Sequence, residues 1–380
     1  MIKNRLKLSL AASLLVATCS YAGTVTAPNS SNIELSGDVE LKAVSEKTDT
    51  EKINKRTAEV NLNLDATLNN GIKVFTTFKA FDGVQGQTTA GADNTDDGFK
   101  TKAAYAVIPL MDGKGKVVAG LAPNNTYGTD AFDNGGEDWK LAVNVPVAKG
   151  VKVTVVSKVK NEEEADSNKG DSGMTAIRVD AKIGELMIGA KYGSGYKNKD
   201  DGKVVTNKAI DSDNTEKEID LLTAYINGSV AGLDLGVEYI QKDVELIGVN
   251  KTIDQKGFFA TIGKSFGDVT AGIAYITLEK GLKGGDDFAP GMILDGNIDS
   301  SATKDTSAIV VPLEYSIDDS LTASATYISA DVQGSDATEI DFGIAYAMDD
   351  NIELSAGYGK YTIDDGDDQT NIEVAIAITF

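Results

Sequence analysis

The 380-residue chain contains no histidine and a single cysteine, and it nowhere runs to the ~20 consecutive apolar residues of a membrane-spanning helix. Without histidine the usual general base of a hydrolase is missing, which leaves an enzyme only unusual carboxylate or lysine chemistry. Basic charge is scarce too, 36 Lys and Arg against 58 Asp and Glu. Such a chain repels phosphates and is a poor binder of nucleic acid.

The one cysteine belongs to a segment that reads as a leader. Lys3, Arg5 and Lys7 precede a short apolar run from Leu8 to Ala17, and Ser20-Tyr21-Ala22 places small residues before Gly23. Residues 1–22 are therefore expected to be a secretory signal peptide cleaved between Ala22 and Gly23. Cys19 as a lipid attachment site is the alternative, disfavoured by Thr18 just before it. Losing Lys3, Arg5 and Lys7 takes the formal charge from −22 to −25. The remaining chain, 23–380, has no cysteine, so pairing and burial must hold the fold without a disulfide.

From Ile33 onward apolar and polar residues alternate in runs of about ten, the period of a strand with two different faces. Val60, Leu62, Leu64, Ala66 and Leu68 share one face, as do Trp139, Leu141, Val143, Val145 and Val147. Tight connections such as Asn69-Asn70-Gly71, Ala148-Lys149-Gly150, Ala231-Gly232 and Asp318-Asp319-Ser320 carry hairpin residues. They alternate with polar, acidic stretches near 45–55, 83–98, 123–137, 161–172, 196–216, 243–254, 280–304, 331–337 and 363–369. The expected fold is all-β: a transmembrane antiparallel barrel of about eighteen strands, with sixteen the neighbouring count, long outer loops and short periplasmic turns.

A tyrosine recurs at a fixed distance after the tight turns: Tyr192, Tyr239, Tyr275, Tyr327 and Tyr358. An apolar ring with a hydroxyl suits the edge of a hydrocarbon slab, so these five are expected to form an aromatic girdle. A soluble sandwich would use them to cover a core, but five copies in register with the turns favour the membrane. The other strand face is small and mixed, with Glu34, Asp38, Glu59, Lys73, Lys79, Lys100, Lys102, Lys158 and Arg178 on the earlier strands. A barrel this wide can hold water, and that face would line it.

The C-terminal strand places Ile372, Val374, Ile376, Ile378 and Phe380 on one face. This ending resembles the assembly signal of outer-membrane barrels, and with the leader and the loop alternation the chain resembles Gram-negative porins over its whole mature length. The resemblance implies passive diffusion of ions and small hydrophilic solutes, no cofactor, and residence in the outer membrane. It also implies contact with lipopolysaccharide, handling by the barrel assembly machinery, and a homotrimer. It further implies that 123–137 folds inward to constrict the pore, although the family's usual Pro-Glu is absent there. Asp130, Asp133 and Glu137 are then the candidate constriction acids, with Lys73, Lys79, Lys100 and Lys102 on the facing wall. Fixed carboxylates in a narrow pore attract cations, so a cation preference is expected. Ordinary solvated loop charge is the competing reading.

Asp93–Gly98, Asp286-Asp287 and Asp364–Asp368 offer oxygen ligands suited to calcium, but position twelve of the first would be Ala104, and solvated acid is the simpler account. Few aromatics take the inner parity, Phe75 and Tyr361 being the main ones, which argues against a sugar track. The rival functions are a substrate-selective channel and an adhesin or structural barrel, and conductance separates the last from a porin.

Overall fold

The computed structural model describes Val25–Thr26 and residues 32–48, 50–68, 70–88, 91–96, 99–123, 128–129, 131–132, 137–160, 172–197, 216–246, 252–279, 281–282, 291–294, 304–364 and 366–380. Residues 1–22 and the Ala22–Gly23 junction lie outside them. The strands run β1 (Val25–Thr26), β2 (Asn32–Thr48), β3 (Lys52–Thr67), β4 (Lys73–Thr88), β5 (Gly91–Asp96), β6 (Lys100–Leu110) and β7 (Gly115–Pro123). They continue with β8 (Glu137–Ala148), β9 (Val151–Lys160), β10 (Ser172–Ile183), β11 (Leu186–Lys197), β12 (Glu216–Val230), β13 (Leu233–Leu246) and β14 (Thr252–Phe266). The last are β15 (Val269–Leu278), β16 (Thr306–Ser316), β17 (Leu321–Val332), β18 (Ser335–Asp349), β19 (Ile352–Ile363) and β20 (Gln369–Thr379).

From β2 to β20 the long strands pair antiparallel with their chain neighbours, and β20 returns to β2 from Asp38↔Thr379 to Thr48↔Gln369. Phe380 completes the closure: its N–H donates to Gly37 O at 3.0 Å and its carbonyl accepts from Gly37 N at 2.9 Å. With β5 added to the outer half of β4 and β1 a two-residue ribbon on β2, the closed wall has eighteen strands. Closure leaves no unpaired edge in lipid, which is the condition for a sheet to span a membrane.

Period two sorts the wall. Leu141, Val155, Ile177, Ile309, Phe342 and Val374 are exposed on the outside, while Lys140, Ala142, Thr154, Ala176, Val310 and Asp341 are buried on the inside of the same strands or their neighbours. Tyr192, Tyr239, Tyr275, Tyr327 and Tyr358 all take the outer parity, and all but Tyr239 are exposed.

Several connections differ from the sequence expectation. The stretches 45–55 and 363–369 shrink to 49–51 and 364–368, because the strands climb past the apolar band as polar strands. The stretch 331–337 is a two-residue hairpin in which Val332 faces Ser335 across Gln333 and Gly334, at φ 56° and 86°. Within 83–98 the chain is a hairpin extension, with Gly83–Thr88 of β4 paired to β5.

Candidate functional site

Described residues of two outer connections lie inside the barrel. The first is the 124–136 connection between β7 and β8. Asn227 of β12 donates to Gly128 O at 2.5 Å, and Glu238 of β13 accepts from both the backbone N–H (3.1 Å) and the hydroxyl (2.5 Å) of Thr129. Gly128 sits at φ +135° against the Tyr225 ring, a backbone and a clearance that only glycine meets. Ala131 and Phe132 are buried, and Phe132 packs where the bare Cα of Gly257 on β14 leaves room. Tyr225, Asn227, Glu238 and Gly257 all lie on the inner face, so this segment rests on the wall across the lumen from β3, β4 and β6.

Tyr225 is itself held from behind. Its hydroxyl donates to Asp180 at 2.5 Å and accepts from Arg178 Nη2 at 2.8 Å, while Arg178 Nε reaches Asp180 at 2.7 Å. The guanidinium also lies 5.2 Å from the ring centre. The seat of the first segment is therefore fixed by a charged pair two strands away.

The second is the 279–305 connection between β15 and β16. Glu339 on β18 is fully buried and accepts the N–H groups of Ile293 and Leu294, each at 2.8 Å. Asp341 accepts from Met292 N at 3.3 Å, and Asn371 of β20 donates to Met292 O at 3.4 Å. Gly291 passes so close that a Cβ there would stand 2.6 Å from the Glu339 carboxyl carbon. Leu282, earlier in the same connection, meets Phe132 and Ile240. Ala131, Phe132, Leu282, Ile293 and Leu294 thus join one apolar cluster with the inner faces of β12–β19, including Ile240, Phe259, Ile276, Val310 and Ile328.

The rest of the lumen is charged. Lys79 and Lys102 converge on Glu59, at 3.0 and 4.0 Å, and Lys100 stands opposite Lys79 on the neighbouring strand. Lys158 pairs with Asp138 at 3.3 Å, Lys42 with Glu373 at 2.8 Å, and the Lys140 ammonium donates to Pro123 O. With Arg178 and Lys191, cations dominate the inner face of β4–β11. The opposite arc carries Glu238, Glu339 and Asp341, which the two docked segments cover.

Of the expected constriction residues, Lys79, Lys100 and Lys102 are brought together, whereas Lys73 sits at the first position of β4 beside the tight turn, about 20 Å along the strand from Lys79. Asp130 and Asp133 lie outside the described residues, as does the side chain of Glu137, whose backbone pairs with Pro123. The inner aromatics are more numerous than expected: Phe75 stacks on Tyr105 at 5.0 Å, and Tyr225 and Phe259 also face inward. Among the described residues no cluster of three acidic, cysteine or histidine side chains could hold a metal ion. Asp367, in one of the acidic stretches, accepts from Thr50 at 3.2 Å.

The family model described as Gram-negative porin matches residues 9–379. No curated protein matches the chain. Among solved structures, Pseudomonas aeruginosa OccK7 (OpdD) superposes with a TM-score of 0.62 at 10% identity, over 92% of this chain and 98% of that one. Acinetobacter baumannii OccAB4 does so with a TM-score of 0.60 at 12% identity, over 93% and 100%. At such identities the likeness is one of fold.

Proposed function

The chain belongs to the Gram-negative porin family and forms a solute channel in the bacterial outer membrane; from that premise we propose that it is a general diffusion pore with a cation preference. The observation that carries the reading is the divided lumen: docked segments cover one arc, and a water-accessible, charged wall bounds the other. Across such a passage runs a transverse field, lysines on β4–β11 facing the loop acids. Asp130 stands in sequence between Thr129 and Ala131, both docked inside the barrel, which supports Asp130, Asp133 and Glu137 as the fixed charges nearest a passing ion. Carboxylates at close range govern selectivity, while acid in the outer loops is screened within about 8 Å at physiological salt.

The same proposal includes the exported form starting at Gly23, the tyrosine girdle, the homotrimer, and capture of the strand ending in Phe380 by the assembly machinery. Bound calcium is not needed for it. A second reading, selection of anionic solutes, is favoured by the Lys79–Lys100–Lys102 group and its continuation through Lys140, Lys158 and Arg178.

The test is the zero-current potential of purified trimers or monomers in a planar bilayer under a salt gradient. The first reading expects a cation-selective sign that weakens or reverses in Asp130→Asn/Asp133→Asn/Glu137→Gln and strengthens in Lys79→Gln/Lys100→Gln/Lys102→Gln. An anion-selective wild type selects the second reading. A barrel that inserts but does not conduct is an adhesin or structural barrel.

A further inference from the structure

On the outside of β19, β20, β2 and β3 four cations stand at the rim of the long-loop end. Register places Lys360 beside Thr370, Thr370 beside Lys47, and Lys47 directly opposite Lys52. Arg56 follows two rows lower on β3, opposite Ala43. Their parity is that of Tyr358, Ile372, Val374 and Leu41, all exposed on the lipid side, and all four cations are exposed themselves. The row immediately below is Tyr358, Ile372, Ser45 and Asn54, so Lys360, Lys47 and Lys52 begin where the apolar band ends, while Arg56 lies inside its edge, level with Ala43 and Val374.

Like charges directly opposite each other on a sheet face repel, and where the inner face sets Lys79 opposite Lys100, Glu59 supplies a counter-charge to Lys79 at 3.0 Å. On the inner face of β20, β2 and β3 Lys55 is paired with Glu46 at 3.0 Å and Lys42 with Glu373 at 2.8 Å. On the outer face, Lys256 of β14 is paired with Asp254 at 2.5 Å. Lys47, Lys52, Arg56 and Lys360 have no ion-pair partner among the described residues. Asp364, Asp367 and Asp368 in the connection above them stand beyond ion-pair reach. Exposed on the lipid side, the four cations are open to a counter-charge at the height of the outer-leaflet headgroups.

We propose that this face is a binding site for a phosphorylated outer-leaflet lipid, with Lys47, Lys52, Arg56 and Lys360 as its cations. Facing strands are about 5 Å apart, so the row spans about 15 Å over four strands, the width of one multiply phosphorylated headgroup rather than a single anion. Ammonium and guanidinium groups at the hydrocarbon edge pair with phosphate where water is thinned, and the apolar row beneath receives the acyl chains.

The full folded barrel in detergent, with EDTA present, is titrated with lipid A carrying two phosphates, one or none, and retained lipid is counted by native mass spectrometry. Wild type binds the doubly phosphorylated form best. Lys47→Gln/Lys52→Gln/Arg56→Gln/Lys360→Gln lowers that affinity at least about tenfold, while Lys47→Arg/Lys52→Arg keeps it within about twofold. Unheated gel mobility verifies folding of each variant, and the Lys47→Gln/Lys52→Gln pair, expected to lose at least about fivefold, serves if the quadruple variant does not fold. Unchanged binding in the folded variants overturns the site. So does an equal loss in Lys256→Gln/Lys264→Gln, which would make the effect one of net charge. Competition by inorganic phosphate at the lipid's own concentration would overturn the lipid as its ligand.

Discussion

Glu339 carries the docking of residues 291–294, and its removal sets two nearly equal terms against each other. Glu339→Ala leaves the buried N–H groups of Ile293 and Leu294 without their acceptor, at about 1–3 kcal/mol each, so about 2–6 kcal/mol comes to oppose the docked state. Against that, Ile293 and Leu294 are buried at 4% and 0% exposure, and each aliphatic side chain resists return to water by about 1.5–3 kcal/mol. The terms roughly cancel. Glu339→Ala alone should therefore give a pore that flickers between two conductance levels in single-channel recordings. Glu339→Ala combined with Leu294→Ser should rest mostly at the higher level and admit larger sugars in a liposome-swelling assay. Glu339→Gln, which keeps one carbonyl acceptor, should stay at the lower level. If the double variant shows the wild-type conductance and the wild-type sugar cut-off, the segment does not narrow the pore and the reasoning fails.

Ile376 pairs with the exposed Leu41 and Leu354 on the lipid side, so Ile376→Asp should impair outer-membrane assembly, at ~2–4 kcal/mol near the midplane and less for an acid than a base, while Ala377→Asp on the water side assembles normally by cell fractionation. Gly128→Val meets both the positive φ and the Tyr225 ring, and should raise conductance and weaken ion selectivity in planar bilayers with no loss of heat-modifiable folding. In the β16–β17 turn, Ser320 and Leu321 donate to Asp318 and hold its carboxyl below the usual 3.8. A depressed folded pKa stabilises above the unfolded value and loses that contribution as pH falls through the folded one. Asp318→Asn should accordingly unfold more easily in urea at pH 5–8, with the difference still present at about pH 3.8 and vanishing only as pH falls through the lower folded pKa.

How much of this was legible before folding depends on what each face touches. The lipid face must be apolar wherever it crosses the bilayer, so the strand count and the outward set from Trp139 to Val374 follow from alternation alone. Above the bilayer both faces meet water, and alternation has no cause to persist. Lys47-Thr48 and Ser335-Asp336 are strand residues that read as loop for that reason, which is why several connections looked longer than they are. The inner aromatics were undercounted for a local reason: Phe258 and Phe259 are adjacent, so one of them has to face in, and the irregularity between Thr77 and Phe78 resets parity around Tyr105.

The docked segments were the hardest to read, and the cause is in the wall. A wet lumen requires polar inner positions, yet β12–β19 carry Ile240, Phe259, Ile276, Val310 and Ile328 there. Those residues make sense only with protein laid over them. The covering pieces had a signature of their own, Ala131-Phe132 and Met292-Ile293-Leu294, short apolar runs inside stretches that are otherwise polar and acidic. Nor are the carboxylates between those apolar positions pore charges: Glu238, Glu339 and Asp341 accept backbone or hydroxyl donors from the covering chain. An inner face of mixed apolar and acidic residues is therefore the mark of a docking wall, and an inner face of lysines, as on β4–β11, the mark of an open one. The eccentric passage we propose rests on that division.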